Sequence, residues 1–222
     1  MKSSTRGSKS MKRSTLRALA AAGIFGGAIA SANATVIFNY TTTLTGQAPS
    51  GTPPFATLTI DNIGTDTVRL ALSHNAGSAA GQFITKLYLN LTSVPGNMTH
   101  VPPLDPKIDG VPAYGSDAFN DAGYMFDMKV DFHTSNANGG ALRLKPGETV
   151  LLDVTGSGLD ENDFLTTATG SPEQIYSMIH IQGTAGGQGS AKVVADVVPE
   201  PATLLAIGTG LAALAARRRR KA

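Results

Sequence analysis

The side chains that most often perform catalysis are few in this sequence and widely spaced. There is no cysteine, so thiol nucleophiles, thiolate metal ligands and disulfides are excluded. The four histidines form no H-x-x-x-H pair for zinc, and no serine lies in a Gly-x-Ser-x-Gly context; the histidines are His74, His100, His133 and His180. The sequence therefore predicts no catalytic residues and a protein that is not an enzyme. A secreted hydrolase ranks third among the possible functions, after the two that are described below.

A pair of carboxylates could hydrolyse glycosidic bonds if the spacing were right. Asp127 and Asp131 lie four residues apart in an alternating segment, which places them on one face of a strand about 13 Å apart. Glycosidases need carboxylates about 5–9.5 Å apart. Lys129 lies between them, so the pattern favours a ladder of surface charges.

Two loops contain several closely spaced Asp, Glu and Asn residues, whose side-chain oxygens could bind calcium. Calcium is the only cofactor that the sequence suggests. Neither loop has the Asp-x-Asp-x-Asp-Gly spacing of a known calcium loop, so solvated surface carboxylates are favoured and no cofactor is predicted. The candidate ligands are Asp160, Glu161 and Asp163, and the second group comprises Asp117, Asn120 and Asp121.

Carbohydrate contact is a further alternative, because sugar rings stack on exposed aromatic side chains. Tyr88 and Tyr176 fall on the polar register of their segments. A tyrosine that is half-buried at a sheet edge is the more common situation. A carbohydrate- or Ca²⁺-binding module is thus the main alternative for the function.

The elements that must position these residues read as short strands. Nine segments are rich in Thr, Val, Ile, Leu and Phe, and no window of ten residues between 35 and 198 has a helical period. The clearest alternation lies in residues 124–133, and an Asp-Asn-Ile-Gly turn at 61–64 predicts a β-hairpin. We expect an all-β fold, an antiparallel β-sandwich of about nine short strands. The segments are 35–44, 55–61, 67–73, 83–92, 124–133, 142–144, 148–155, 175–182 and 192–198.

The charge is distributed unevenly along the 222 residues. Eleven of the 18 basic residues lie in the two terminal segments, whereas residues 35–198 hold 7 basic and 15 acidic residues, a net charge of −8. Nucleic-acid binding requires a basic surface on the folded part. The sequence therefore predicts no nucleic-acid partner.

The N-terminal segment has the layout of a secretory signal peptide. Basic residues end at Arg17, an apolar run covers 18–30, and small residues follow. Signal peptidase is expected to cleave between Ala34 and Thr35, with cleavage after Ala32 or Ala30 as the alternatives. The predicted domains are a signal peptide at 1–34, a β-sandwich at 35–197 and a tail at 198–222.

The C-terminal segment combines an apolar run with a basic end. Residues 202–216 carry no charge, which predicts a single membrane-inserted helix, and the following cluster stops transfer and stays in the cytoplasm. That cluster comprises Arg217, Arg218, Arg219, Arg220 and Lys221.

The tail resembles the PEP-CTERM sorting tail of exported bacterial proteins, which is also labelled an ice-binding protein C-terminal domain. The resemblance rests on Val-Pro-Glu-Pro at 198–201, the apolar run and the terminal arginines. It implies that Pro199, Glu200 and Pro201 are recognised by an exosortase-type membrane protease. It also implies a Gram-negative host that makes exopolysaccharide, transient anchoring in the inner membrane, and then the cell surface or extracellular matrix.

The middle of the chain resembles a block found in small PEP-CTERM proteins of unknown function, for which no catalytic residues are known. The resemblance rests on residues 126–140 and 142–149, on Gly-Ser-Gly-Leu at 156–159 and on His-Ile-Gln-Gly at 180–183, but the tryptophan usual in that block is missing. We therefore expect a non-enzymatic surface or matrix protein with a structural or adhesive role in association with exopolysaccharide.

Overall fold

Ten strands form the protein's folded part, as seen in a computed structural model that describes residues 35–170 and 174–198. The strands are β1 (Thr35–Gly46), β2 (Ala56–Gly64), β3 (Thr67–His74), β4 (Phe83–Leu89), β5 (Thr99–His100), β6 (Ala113–Asp121), β7 (Tyr124–Asp131), β8 (Thr149–Thr155), β9 (Ser177–Gly183) and β10 (Gly189–Val198). Three four-residue turns complete the fold: α1 (Ala137–Gly140), η1 (Glu161–Phe164) and α2 (Thr184–Gly187).

All ten strands belong to one sheet with the order β5-β8-β3-β2-β1-β10-β9-β4-β7-β6, and every pairing is antiparallel. The predicted all-β, antiparallel class is confirmed. The strands form one continuous sheet, however, where the sequence predicted the two layers of a sandwich.

The sheet curls so that its inner face closes on a common core. Leu70 and Leu152, from one end of the strand order, line the same small cavity as Leu87 and Val130 from the other end. That cavity has a volume of only about 10 Å³, at the lower limit for a single water molecule, and its lining is apolar. A curled sheet can thus bury its apolar face without a separate second sheet.

Strands β2, β3 and β8 follow the alternation that the sequence predicts. Their burial strictly alternates along β3 and β8 and nearly so along β2, with Leu58, Leu70 and Leu152 in the core. The predicted hairpin is confirmed, since Asp61 pairs with Arg69 and Asn62 with Val68. One face of these strands meets the core and the other meets solvent, which is the condition for a period of two.

Strand β7 deviates from its prediction. Its alternate apolar residues are all buried, but Met128 and Val130 enter the main core, whereas Phe126 and Tyr124 join a second apolar cluster that includes Tyr88. The pairing of β6 with β7 is irregular between Tyr114–Met128 and Phe119–Phe126, so the strand does not keep one regular register. The second cluster lies over β4 and β9, and the face predicted to be wet is therefore partly covered.

The first and last strands are neighbours at the centre of the sheet. β1 begins at Thr35, β10 ends at Val198, and Ile37 pairs with Val198. Within residues 35–170 and 174–198, no helix is long and apolar enough to cross a membrane. The predicted signal peptide and apolar C-terminal helix lie outside the described residues.

Candidate functional site: a polar groove on the outer face of the sheet

A row of polar side chains crosses four adjacent strands on the outer face of the sheet. Lys192 on β10 is paired with His180 on β9, His180 with Lys86 on β4, and Lys86 with Asp131 on β7. Neighbouring strands lie about 4.8 Å apart, so the row spans about 14 Å. All four side chains line one cavity of about 570 Å³. We call this cavity and the adjoining one described below the polar groove.

A β-bulge at Thr85 orients the histidine in this row. Ile84 pairs with Ile181 and Lys86 with His180, so Thr85 is the extra residue in β4. Its hydroxyl donates to the carbonyl oxygen of His180 at 3.2 Å and lies 3.1 Å from Nδ1 of the same residue. Because the hydroxyl proton is used, Nδ1 must donate, which leaves Nε2 of His180 as an acceptor.

The surroundings of His180 favour its neutral form. Partial burial lowers the pKa of His180, and the positive charges of Lys192 and Lys86 lower it further, against the opposing effect of Asp121. A neutral imidazole between two ammonium groups can accept a hydrogen bond from a hydroxyl group.

The β6–β7 hairpin forms one wall of the groove. Asp121, at the end of β6, reaches across the sheet to form an ion pair with Lys192, and it accepts a hydrogen bond from the Tyr88 hydroxyl. Partial burial opposes ionisation, but these two hydrogen bonds lower the pKa of Asp121. Burial and Asp121 both raise the pKa of Tyr88. Asp121 is therefore ionised, and its contacts with Lys192 and Tyr88 hold the β6–β7 hairpin against the outer face of the sheet.

A second cavity of about 430 Å³ extends the groove, and Gln182 lines both cavities. Arg143 lines the second cavity and donates to the carbonyl oxygen of Thr134, which lines the first. The remaining lining residues are neutral and mostly glycines near the β9–β10 turn; they are Gly81, Phe83, Gly183, Gly187, Gln188, Gly189 and Ser190.

The predicted charge ladder on β7 is present only in part. Lys129 pairs with Asp131 at 2.8 Å, and Lys86 lies 3.9 Å from the same carboxylate. Asp127 is buried and takes no part in the ladder. It accepts hydrogen bonds from the backbone N–H groups of Leu91 (2.9 Å) and Asp117 (2.7 Å), so it is a structural residue that the alternation did not reveal.

The calcium candidates are engaged within their own loop. Asp160 accepts from the backbone N–H of Asn162, and Asp163 accepts from that of Asp160, which together cap the turn η1. Glu161 is buried and accepts from the Asn162 side chain. Across the described ranges, no three acidic or histidine side chains converge to hold a metal ion. Calcium binding by Asp160, Glu161 and Asp163 stays a prediction.

The aromatic candidates for sugar stacking are covered. Tyr88 is only 3% exposed and lies against Phe126, with 5.0 Å between ring centroids. Tyr176 is half-buried and stacks on Phe38 at 6.3 Å. The stacking alternative does not apply to Tyr88, which is more buried than the half-buried tyrosine that the sequence favours, because the β6–β7 hairpin covers its ring.

The other histidines do not join His180. His74 is buried and bonds to the carbonyl oxygen of Leu144, His100 lies in the edge strand β5, and His133 pairs with Asp109. Asp109 lines the groove at its rim. The structure thus assembles one histidine, two lysines and three carboxylates, and sequence spacing could not group them because each comes from a different element.

The predicted sorting residues lie outside the described residues, except for Thr35 at the start of β1. These are Ala34, Pro199, Glu200, Pro201 and the cluster Arg217, Arg218, Arg219, Arg220 and Lys221.

Comparison with known proteins recognises the tail and not the folded part. A family model described as the PEP-CTERM protein-sorting motif matches residues 197–220. No curated protein and no solved structure matches the chain. The motif implies an exported protein that is processed by an exosortase-type system. The chain is therefore a protein with a PEP-CTERM sorting motif.

Proposed function

We propose that this protein is exported, anchored briefly in the inner membrane of a Gram-negative bacterium, and released to the cell surface or extracellular matrix. The sorting motif at 197–220 is the observation that carries the proposal. Its folded domain associates there with exopolysaccharide and has a structural or adhesive role without catalysis.

The polar groove supports the association with polysaccharide. Its floor alternates donors and acceptors, with Lys192 and Lys86 on either side of His180 and with Asp131 at the end. Sugar hydroxyl groups both donate and accept, so they match such a row. An open groove can also accept a chain that continues beyond it, as a polymer requires.

The engagement of the groove carboxylates supports a non-catalytic role. Asp121 is held by Lys192 and Tyr88, and Asp131 is paired with Lys129. A general acid requires a carboxyl group with a raised pKa, whereas the pKa of Asp121 is lowered.

The route is tested by replacing Pro199, Glu200 and Pro201 together with alanine in a host that has a matching exosortase. We expect export to continue but processing to stop, so that the uncut protein fractionates with the inner membrane. The physical reason is that proline favours an extended backbone, which a membrane protease could recognise together with a nearby carboxylate. A triple variant that is shortened and released like the wild type would refute recognition of this motif.

A deletion of residues 217–221 serves as the control for this experiment. It leaves the Pro-Glu-Pro sequence intact and removes the positive charges that stop transfer. We expect a misoriented or fully translocated tail, a failure different from that of the triple variant.

The association is tested on the released wild-type protein in the culture medium. We expect it to sediment with the host's precipitated exopolysaccharide, while a secreted marker protein of similar size stays in solution. Equal recovery of both proteins in the supernatant would refute the association.

A further inference from the structure

We propose that the polar groove is specific for an acidic polysaccharide and that Arg143 binds the carboxylate of a uronic-acid unit. This inference rests on the proposed association with polysaccharide and names the class of sugar that the groove selects.

Arg143 is fixed in place with one edge of its guanidinium group free. The group lies over the ring of Phe83, 4.0 Å from the ring centroid. Its Nε and Nη2 atoms donate to the carbonyl oxygen of Thr134 at 2.9 and 2.6 Å. Two of the five N–H groups are thereby used, and the edge formed by Nη1 and the second proton of Nη2 can still make a bidentate contact with a carboxylate.

Arg143 also differs from the other groove cations in having no carboxylate partner. Lys192 is neutralised by Asp121, and Lys129 by Asp131. Lys107, which donates to the backbone oxygen of Arg143, pairs with Glu148 at 3.0 Å. In the described part of the chain, no carboxylate lies within ion-pair distance of Arg143, and no acidic residue lines the cavity that it faces.

The domain concentrates its few positive charges at this site. Residues 35–198 carry a net charge of −8 with 7 basic residues. Five of these line the groove or contact its lining; they are Lys86, Lys107, Lys129, Arg143 and Lys192. The four lysines among them are paired with carboxylates, so the attraction for an anionic ligand comes mainly from Arg143.

The position of the groove carboxylates restricts the kind of anion. Asp121 and Asp131 line the first cavity and would repel a densely charged polymer along its whole length. They can, however, accept hydrogen bonds from sugar hydroxyls. A chain in which a single carboxylate reaches Arg143 while neighbouring hydroxyls lie over the row Lys192–His180–Lys86 satisfies both cavities.

The test uses the released protein and two probes: hyaluronate, in which each uronic acid is followed by an uncharged sugar, and the neutral polymer dextran. We expect the wild type to prefer hyaluronate and to lose affinity for it as salt is raised. Arg143→Gln should weaken binding to hyaluronate about tenfold, the effect of losing one charge-assisted bidentate contact, and leave binding to dextran unchanged. Free glucuronate should compete only weakly, and competition as strong as that of the polymer would overturn a site for a polysaccharide.

Two variants control for charge and folding. Lys145→Gln removes the same charge outside the groove lining and should bind like the wild type. Arg143→Lys keeps the positive charge but lacks the bidentate geometry of the guanidinium group, so it should lose part of the preference for the acidic polymer. The melting temperature of each variant, compared with that of the wild type, shows whether the domain is folded. Equal binding of both polymers, unchanged by Arg143→Gln, would overturn the acidic specificity and leave the association standing. Binding of neither polymer nor the host's exopolysaccharide would overturn both.

Discussion

The two halves of the curled sheet share one core but have different outer faces. The outer face of β8, β3, β2 and β1 is open and carries short polar side chains in cross-strand rows, such as Asn39, Thr57, Ser73 and Thr149. The outer face of β10, β9, β4 and β7 is covered near Tyr88 by the β6–β7 hairpin and opens beside it into the polar groove. The outer surface of the sheet is therefore open in one half and forms the polar groove in the other. The half with the groove holds most of the domain's cations.

The largest effect is expected in the core that both halves share. Val130→Asp should lower the free energy of unfolding by more than about 4 kcal/mol, because Val130 is buried and the new carboxylate would have no partner. Lys129→Ser, one residue away, removes only a partly exposed ion pair and should cost about 0.5 kcal/mol. Denaturant unfolding of both variants checks the register, and equal midpoints would contradict it.

The next comparison concerns the outer faces directly. Tyr88→Ala should destabilise the protein by about 3 kcal/mol, because it opens a cavity under the hairpin and removes a partner of Asp121. The matched change on the open half is Leu151→Ala, since Leu151 is 47% exposed, and we expect a change within about 0.5 kcal/mol. Thermal unfolding that ranks Leu151→Ala as the more destabilising variant would break the distinction between a covered and an open face.

One carboxylate in each half of the sheet provides a further comparison of the two halves. Asp127→Ala should cost about 2 kcal/mol, since it leaves the N–H groups of Leu91 and Asp117 without their acceptor. Asp153 on the open half makes a bidentate ion pair with Arg69 at 2.7 Å, but both side chains are partly exposed to solvent and Asp153→Ala should cost less than about 1 kcal/mol. Chemical denaturation of the two variants would contradict the comparison if Asp153→Ala were the more harmful.

The smallest effect is a pH dependence from one histidine in each half. Burial lowers the pKa of His74 in β3 and that of His180 in β9. A lowered folded-state pKa favours the neutral form, so stability is complete above the unfolded pKa of about 6.5 and is lost as pH falls through the folded pKa. Each histidine contributes at most about 1.4 kcal/mol per pH unit. Unfolding between pH 7 and 5 should show a slope that is flatter in His74→Gln and His180→Gln and flattest in the double variant; an unchanged slope in the double variant would contradict the assignment.

The contrast between the halves also explains which elements the sequence could predict. Strands β2 and β3 and their hairpin follow from period-two alternation, because one face is buried and the other wet. The same rule failed for Tyr88 and Asn90, which are buried on the register predicted to be polar. The covering hairpin acts from a distant part of the chain, and no local pattern reports it.

The groove could not be assembled from spacing for a related reason. Lys86, His180 and Lys192 are separated by up to 106 residues and meet only because the strand order is β10-β9-β4. The one local signal is that each is the only lysine or histidine of its strand. The sorting tail is the opposite case, since its information lies in contiguous residues and was found from the sequence and by the family model.

The central claim, that the groove half of the sheet binds exopolysaccharide, is tested most directly by two charge-matched double variants of the released protein. Lys86→Ala with Gln182→Ala alters the groove, and Arg69→Ala with Thr59→Ala alters the open face. Retention on immobilised exopolysaccharide from the same host is measured once melting temperatures show both variants to be folded. We predict that the groove variant loses retention and the open-face variant keeps it. Retention lost by the open-face variant and kept by the groove variant would contradict the account.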